Sequence, residues 1–558
     1  MLISRYLTKT NYDSYKDFND NCRIYTPYNF NFAFDVVDTL ANFYPNKKAI
    51  IWCDDNENNK IFTFYDISKK SNKAANFFKD IGIKKGDVVM LILRRHYEYW
   101  ICTVALHKLG ALIIPATHLL TYRDLLYRVK IAKVKVIVAL ANTRICNTVN
   151  EVKNNQLSEL KFTISVDGHI NNWIDYSKEV NKYSDIFNRP TGEESTNIND
   201  NFLLYFTSGT TGMPKMVCHN FSYPLGHIIT AKFWQQLNAN SLHLTVADTG
   251  WAKASWGKIY GQWLCEACVF VYDYEKFNSK KLLAKIVKYN VTSFCAPPTI
   301  YRYLIKEDLS KYNLSKLKYV VTAGEPLNPE VFYKFKQNTG LEIKEGFGQT
   351  ESVVCIATFP WMIVKPGSIG KPSAGWELDI IDEKNHPCHV GEAGRLIIKT
   401  SKNNPVGLFS GYYNNRNNLQ QLNSKFYDTG DIVYKDKDGY FWFVARADDI
   451  IKSSGYRIGP FEVENAIMEH PCVLECAVTG VPDNDRGQIV KASIVLSAGY
   501  YPSPKLTKNI QDHVKKITAP YKYPRLIEFV RELPKTVSGK IKRNIIIEGT
   551  KTKKYYEY

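Results

Sequence analysis

The stretch "YFTSGTTGMPKMV", Tyr205 to Val217, decides how the rest of the chain is read. An aromatic and apolar run gives way to Thr207, Ser208, Gly209, Thr210, Thr211 and Gly212, then to Pro214 and Lys215. Hydroxyls beside glycines can donate to phosphate oxygens together with backbone N–H groups that no side chain covers. Lys215 adds a positive charge. The loop is not of the GxxxxGK[ST] type, because Gly209 and Gly212 stand too close and Pro214 occupies a glycine position. The dinucleotide fingerprint GxGxxG is missing as well. By composition alone the stretch reads as a Ser/Thr/Gly turn between two strands, so the rest of the chain has to choose.

With 558 residues, the chain can bury large cores and divides into at least two domains. Its 45% hydrophobic and 13% aromatic content describe a folded protein. The formal charge of +18 comes from 73 Lys+Arg against 55 Asp+Glu. The lysines are interleaved with Asn, Ile and Tyr along the whole length and form no basic stripe with spaced aromatics, so no nucleic acid is expected as a partner. No segment reaches the roughly 18 apolar residues of a membrane span. The N-terminus has no apolar signal core, and its aspartates argue against a transit peptide. Twelve cysteines without pattern suggest reduced thiols. The lone CxxC, Cys265 and Cys268, sits among Trp263, Leu264, Val269 and Phe270 and reads as core. The expectation is a cytoplasmic protein without a membrane span.

The first third alternates helical and strand patterns. "DISKKSNKAANFFKDI" has helical spacing, "DVVMLIL" is a buried strand, and "YEYWICTVALHKLG" is a helix closed by Gly110. "ALIIPA", a capped helix from Thr121 and "VKVIVAL" follow, and in the middle "VTSFCAPP" and "LKYVVTAG" flank a helical "TIYRYLIKEDL". Such alternation implies α/β architecture with parallel sheets covered on both faces. From about Val390 short strands such as "GRLIIKT" and "GYFWFVA" take over. After "ADDII" comes about a hundred residues of α+β pattern, enough for a separate domain.

Four more clusters bear on the loop: "EGFGQTES" (Glu345 to Ser352), "FYDTGD" (Phe426 to Asp431), "ARADDIIKSSGYRIGPFEVE" (Ala445 to Glu464) and "PKTVSGKIKR" (Pro534 to Arg543). Each alone is a weak signal, whereas all five in this order are specific. From about Tyr25 to Lys542 the chain resembles the adenylate-forming superfamily of acyl-CoA synthetases, adenylation domains and luciferases. "TAGEPLNPEVF" and "APPTIYR" look most like its medium-chain acyl-CoA synthetase branch. The resemblance implies a large N-terminal domain of αβ layers plus a β-barrel, residues 1–447, and a small mobile α+β C-terminal domain, residues 448–558. The opening stretch is then the ATP phosphate loop of that superfamily.

The resemblance also implies roles. Thr207 to Lys215 hold the β- and γ-phosphates, while Thr350 and Glu351 hold phosphate and Mg²⁺. Gly324, Glu325 and Pro326 line the adenine pocket, with Glu345, Gly346, Phe347, Gly348 and Gln349 beside them. Asp431 grips the ribose hydroxyls, and Arg446 reaches ribose or phosphate. Lys540 comes in from the small domain to neutralise the α-phosphate region, a task that suits one compact charge on a flexible stem. Asp448 is the implied hinge. Ser454, Gly455, Tyr456 and Arg457 line the pantetheine tunnel, and Arg486, Tyr523 and Arg525 stand where the CoA nucleotide is held. ATP, Mg²⁺ and CoA are the implied cofactor and co-substrates, with homodimerisation left open.

For the acid, acetate-selective relatives carry a tryptophan before the QTE, and this chain has Gly348 there, which opens the pocket to longer chains. Trp251 matches an aromatic bordering the acyl site. Lys253 and Trp256 would share one face of a helix, the lysine shortening an acyl tunnel and the tryptophan forming its floor. Medium-chain or branched acids are therefore expected. The alternatives are an adenylating enzyme that loads a carrier protein, a short-chain CoA ligase for acetate or propionate, and a non-enzymatic binding protein. "SYPLGHIITAKFW" lacks the aspartate that amino-acid-binding members use, and Lys215, Glu351, Asp431, Arg446, Arg457 and Lys540 are all present.

Overall fold

The computed structural model describes residues 2–155, 159–207, 214–401, 404–413, 419–422, 425–454, 456–483, 485–535 and 541–551. The sequence patterns form the elements expected of them. Thr63 caps the helix Phe64–Asp80 with a reciprocal Asp66 capping box, and Thr121 with Asp124 does the same for Tyr122–Ala132. The helix Glu98–Leu109 is buried along its whole length and stops at Gly110, whose φ of 67° lies in the left-handed region that lacks steric penalty only for glycine. The helix read over "TIYRYLIKEDL" is shorter, Pro298–Leu304.

Three sheets organise the described residues. A nine-stranded sheet has the parallel strands Val88–Ile92, Leu112–Pro115 and Val136–Leu140 at its centre, with Asn201–Thr207 beside Leu112–Pro115. A thirteen-stranded sheet runs through the parallel strands Ser293–Ala296, Tyr319–Ala323 and Ile343–Phe347. It continues, antiparallel, into Ser368–Pro372, Phe441–Arg446, Phe426–Lys435 and Gly394–Lys399, the part of the chain from which a barrel was expected. One large apolar cluster, including Trp100, Trp234 and Trp263, spans the helices between these sheets. The central strands are buried end to end, as strands covered on both faces must be.

The third sheet holds five strands, all between Ile451 and Phe529. Its helices Pro460–Met468 and Pro504–Ile517 close a separate core around Ile467, Val478, Ile494 and Val514. Asn328 reaches Asn465 across to this unit at 3.1 Å, and Phe443 meets Phe461 edge-on at 6.2 Å.

Candidate active site

The parallel strands of the larger sheet end at one edge, where open α/β sheets place their ligands. Tyr319–Ala323 runs into Gly324, and Ile343–Phe347 runs into Gly348 and Gln349. Gly324 has φ of 103°, and a Cβ there would meet nothing within 4 Å, so the turn presents open backbone. Glu325 turns aside to the Thr299 hydroxyl, 3.3 Å, and to Arg302, 3.6 Å. Glu345 points inward: its carboxylate accepts the Leu327 N–H at 3.0 Å, which pins the far end of the Gly324–Pro326 turn. Burial pushes this carboxyl up to about 8, against the backbone N–H groups of Leu327 and Gly367.

The phosphate loop itself, Ser208, Gly209, Thr210, Thr211 and Gly212 with Met213, lies outside the described residues, but its two ends are held. Asn201–Thr207 and Lys215–Asn220 pair antiparallel, with Thr207 opposite Lys215. Tyr412, on the next strand Gly411–Tyr413, carries the Lys215 ammonium 5.1 Å from its ring centre. The Tyr412 hydroxyl donates to Glu351 Oε1 at 3.0 Å. Burial raises the Glu351 carboxyl above its ordinary range, and its own backbone N–H, Tyr412, Arg446 and Lys215 pull it back. The Thr350 carbonyl lies 2.8 Å from His219 Nε2.

Asp431 and Arg446 face each other in the register of Phe426–Lys435 and Phe441–Arg446. Arg446 donates to Asp431 Oδ1 at 3.1 Å and to the Thr429 carbonyl at 2.9 Å. Gln349 Nε2 donates to Asp431 Oδ2 at 2.6 Å, and its Oε1 accepts the Tyr427 hydroxyl at 3.1 Å. The QTE segment, the DTGD segment and the arginine before the domain break, separated by up to 97 positions in sequence, thus form one bracket of charge-assisted hydrogen bonds.

At the acyl end the structure departs from expectation. Trp251 precedes the helix Ala252–Gly257, which carries Lys253 and Trp256 as foreseen. The two side chains part company. Lys253 donates to the Ala323 carbonyl at 2.6 Å, at the adenine turn, because an ammonium in an apolar tunnel would lack an acceptor. Trp256 lies on Gly348, where a Cβ would come within 2.5 Å of its ring and 2.5 Å of the Val353 carbonyl. The space beside Gly348 is therefore not open, as the absence of a side chain suggested; the indole of Trp256 fills it.

In the small unit, Lys540 and Gly455 lie outside the described residues, as does the Arg457 side chain, whose backbone belongs to Tyr456–Ile458. Arg486 donates to the Ser454 hydroxyl at 3.2 Å. Arg525 donates to the Tyr523 hydroxyl at 2.7 Å, and Tyr456 stacks on Tyr521 at 4.1 Å. Asp448 is 3.7 Å from Arg446. Arg543, just past the Lys540 loop, bonds Glu464 at 2.6 Å and lies 3.6 Å from Asp449. Tyr412, Tyr427, His219 and Arg543 escaped the sequence reading. Tyr427 and Arg543 stand inside the quoted FYDTGD and PKTVSGKIKR stretches but carried no role there, since each acts on a partner far away in the chain.

The chain matches the family model described as AMP-binding enzyme over residues 37–413, and that of the AMP-binding enzyme C-terminal domain over residues 462–540. It is 41% identical over 550 residues to the acyl-coenzyme A synthetase ACSM3, mitochondrial, of Mus musculus, covering 97% of this chain and 94% of the relative. It is 40% identical over 541 residues to the acyl-coenzyme A synthetase ACSM4, mitochondrial, of Homo sapiens, covering 94% and 92%. Among solved structures, the anthranilate CoA ligase AuaEII in complex with anthranoyl-AMP superposes with a TM-score of 0.86 at 28% identity, covering 94% of this chain and 98% of that one. With both family models matched in order and relatives similar along nearly its full length, the chain belongs to the AMP-binding enzymes.

Proposed function

We propose that this chain is an ATP-dependent acyl-CoA synthetase whose nucleotide site is the bracket of Gln349, Asp431 and Arg446, with Glu351 and Lys215 behind it. The observation that carries the reading is that bracket: it pairs Asp431 with Arg446 and Gln349 while leaving the Gly324 turn open. Names of relatives that are acyl-CoA synthetases support the thioester product and disfavour the carrier-protein and purely binding alternatives.

In the first half-reaction a carboxylate oxygen attacks the α-phosphorus of ATP, the bond to the β-phosphate oxygen breaks, and pyrophosphate leaves. Both partners are anions, so the site must hold them in line and screen their repulsion. Thr207, the loop Ser208–Gly212 and Lys215 take the β- and γ-phosphates, Thr350 assists, and Lys540 brings the charge for the α-phosphate region. Mg²⁺, when bound, supplies neutralisation of the phosphates. Glu351 would hold it, since a buried carboxylate with a raised pKa gains from a cation. In the second half-reaction the CoA sulfur attacks the acyl carbonyl, its proton passes to solvent, and AMP leaves with the bonding pair. For this the unit 448–558 turns about Asp448, bringing Ser454–Arg457 to the pantetheine and Arg486, Tyr523 and Arg525 to the nucleotide of CoA.

The acid we assign is medium-chain or branched, with Trp251 and Trp256 as walls of its pocket. All twelve cysteines are free thiols, which suits a reducing compartment, and we propose the cytoplasm; the mammalian relatives are named as mitochondrial. Among the described residues no helix is long and apolar enough to cross a membrane. The test of the function is CoA-dependent AMP release over carboxylic acids of two to ten carbons. Activity that needs no CoA, or release with no acid in the series, would overturn it.

A further inference from the structure

Beside Trp256, the wall we propose for the acyl pocket, stands a column of polar rings. His219 lies on the strand Lys215–Asn220; Tyr223 and His227, four residues apart, share a face of the helix Tyr223–Ile228. Ring centres are 3.9 Å apart between His219 and Tyr223 and 4.5 Å apart between Tyr223 and His227. The column begins at the nucleotide loop, where His219 Nε2 meets the Thr350 carbonyl. It ends beside Trp256, whose ring lies 6.4 Å from His227 and covers Gly348.

All three side chains are buried, and each keeps one polar atom without a hydrogen bond among the described residues: His219 Nδ1, the Tyr223 hydroxyl and His227 Nε2. The opposite ring nitrogens are occupied, His219 Nε2 by Thr350 and His227 Nδ1 by the Thr230 hydroxyl at 3.2 Å. The Ser255 hydroxyl and the Trp256 indole N–H both bear on the Tyr223 hydroxyl and favour its anion slightly, and Ser255 also meets the Tyr205 hydroxyl at 2.7 Å. Tyr99 and Tyr260 stand close by; burial first, then the neighbouring phenols, raise their pKa values, so these hydroxyls stay protonated. Burial holds His219 and His227 neutral as well. The charge felt at Tyr99 is that of Asp248, which is negative.

Donors and acceptors removed from water without partners cost free energy, and a plain alkyl chain would leave all three unpaired. A second carboxylate on the substrate would meet only neutral groups here. A neutral hydroxyl is matched. The Tyr223 hydroxyl can donate or accept, and whichever tautomer the Thr230 contact selects, His227 Nε2 is left to do one or the other.

We propose that the acid this enzyme activates carries a neutral hydrogen-bonding substituent, a hydroxyl or an oxo group, that pairs with the Tyr223 hydroxyl and His227 Nε2 in the cage behind Trp256. The proposal rests on the acyl-CoA synthetase reading above and narrows its substrate class. A site built to bond a substrate hydroxyl discriminates strongly against the analogue lacking it, because its own groups are then left unpaired.

The experiment measures kcat/KM for CoA-dependent AMP release with straight-chain acids of four to eight carbons. Each acid is paired with its derivatives bearing one hydroxyl or oxo group at successive positions, in wild type and in Tyr223→Phe. The expected result is at least a tenfold preference, about the effect of one hydrogen bond to a buried group, for the substituted acid at some position. In Tyr223→Phe that preference should fall about tenfold, while the circular dichroism spectrum stays that of wild type. Plain acids preferred at every length and position in wild type overturn the proposal and leave the synthetase reading standing; the cage is then a place for buried water. An unchanged preference in Tyr223→Phe also overturns it. If no acid of either kind releases AMP with CoA, both the proposal and the synthetase reading fall.

Discussion

At the nucleotide end, Asp431, Gln349 and Arg446 each meet a named partner within 3.1 Å, and Glu351 is held by Tyr412. At the end we propose for the acyl group, three buried polar atoms have no hydrogen bond among the described residues and an indole lies where a glycine suggested open space. The difference follows from what each end must do. A nucleotide is the same in every turnover, so its site can be preorganised down to each hydrogen bond. The acid defines the individual enzyme, and its contacts are completed only when it binds.

The comparison breaks most sharply at the charge brought by the small unit. Lys540→Ala should slow acyl-adenylate formation by roughly 10²- to 10³-fold, the scale for one preorganised electrostatic group. Thioester formation from supplied acyl-adenylate should be nearly spared, and equal loss of both half-reactions would refute the separate use of the two faces. Next in size, Asp431→Asn removes the anion shared by Arg446 and Gln349. Loss of charge-assisted bonds worth about 1.5–3 kcal/mol should lower kcat/KM for ATP by about 10- to 100-fold. The acid chain-length profile should not move; if it does, the two ends are coupled.

At the acyl end, Gly348→Ala pushes a methyl into Trp256, and overpacking of this kind costs roughly 1–3 kcal/mol. Stability by urea denaturation should fall by at least that amount, and Trp256→Leu added to it should relieve only the share owed to the indole, because the Val353 carbonyl, 2.5 Å from the same Cβ, stays in place. Additive losses in the double variant would mean that the two residues do not touch. Gly348→Trp, by the same contact, has to unseat Trp256 instead of filling an empty pocket.

The last effect, on the pH dependence of stability, concerns Glu345. Its folded carboxyl titrates at about 8 against an ordinary 4.5, because burial disfavours the anion. A raised carboxyl contributes stability that is fully present below pH 4.5 and is lost as pH rises towards 8. Glu345→Gln imitates the protonated form, so its urea midpoint should fall less than that of wild type across this window and run parallel to it above about pH 8. Parallel curves throughout would show that Glu345 is an ordinary carboxylate.

Much of the fold was legible. The spacing of "DISKKSNKAANFFKDI", the caps at Thr63 and Thr121 and the stop at Gly110 are local signals, and local backbone energetics suffice to act on them. The sequence also picked out the candidate nucleotide stretches, since glycine, hydroxyl and carboxylate types in a short run state what they could bind; which residue binds what is our proposal. The partners were not. Tyr412 reaches Glu351 across 61 residues and Tyr427 reaches Gln349 across 78, and no periodicity in a single sequence encodes such a meeting.

Lys253 and Trp256 divide the two kinds of knowledge. Their spacing of three put them on one turn of helix, and the helix Ala252–Gly257 bears that out. Where each side chain then went was settled by what waited in space: a carbonyl at Ala323 for the ammonium, and the bare backbone of Gly348 for the indole. The amino-acid sequence by itself determined the order of elements and the chemistry available at each strand end, because both depend on neighbours in the chain. Tertiary structure alone decided that Trp256 lies on Gly348 and Lys253 on the Ala323 carbonyl, because close packing and hydrogen-bond pairing are relations between residues that the chain keeps far apart.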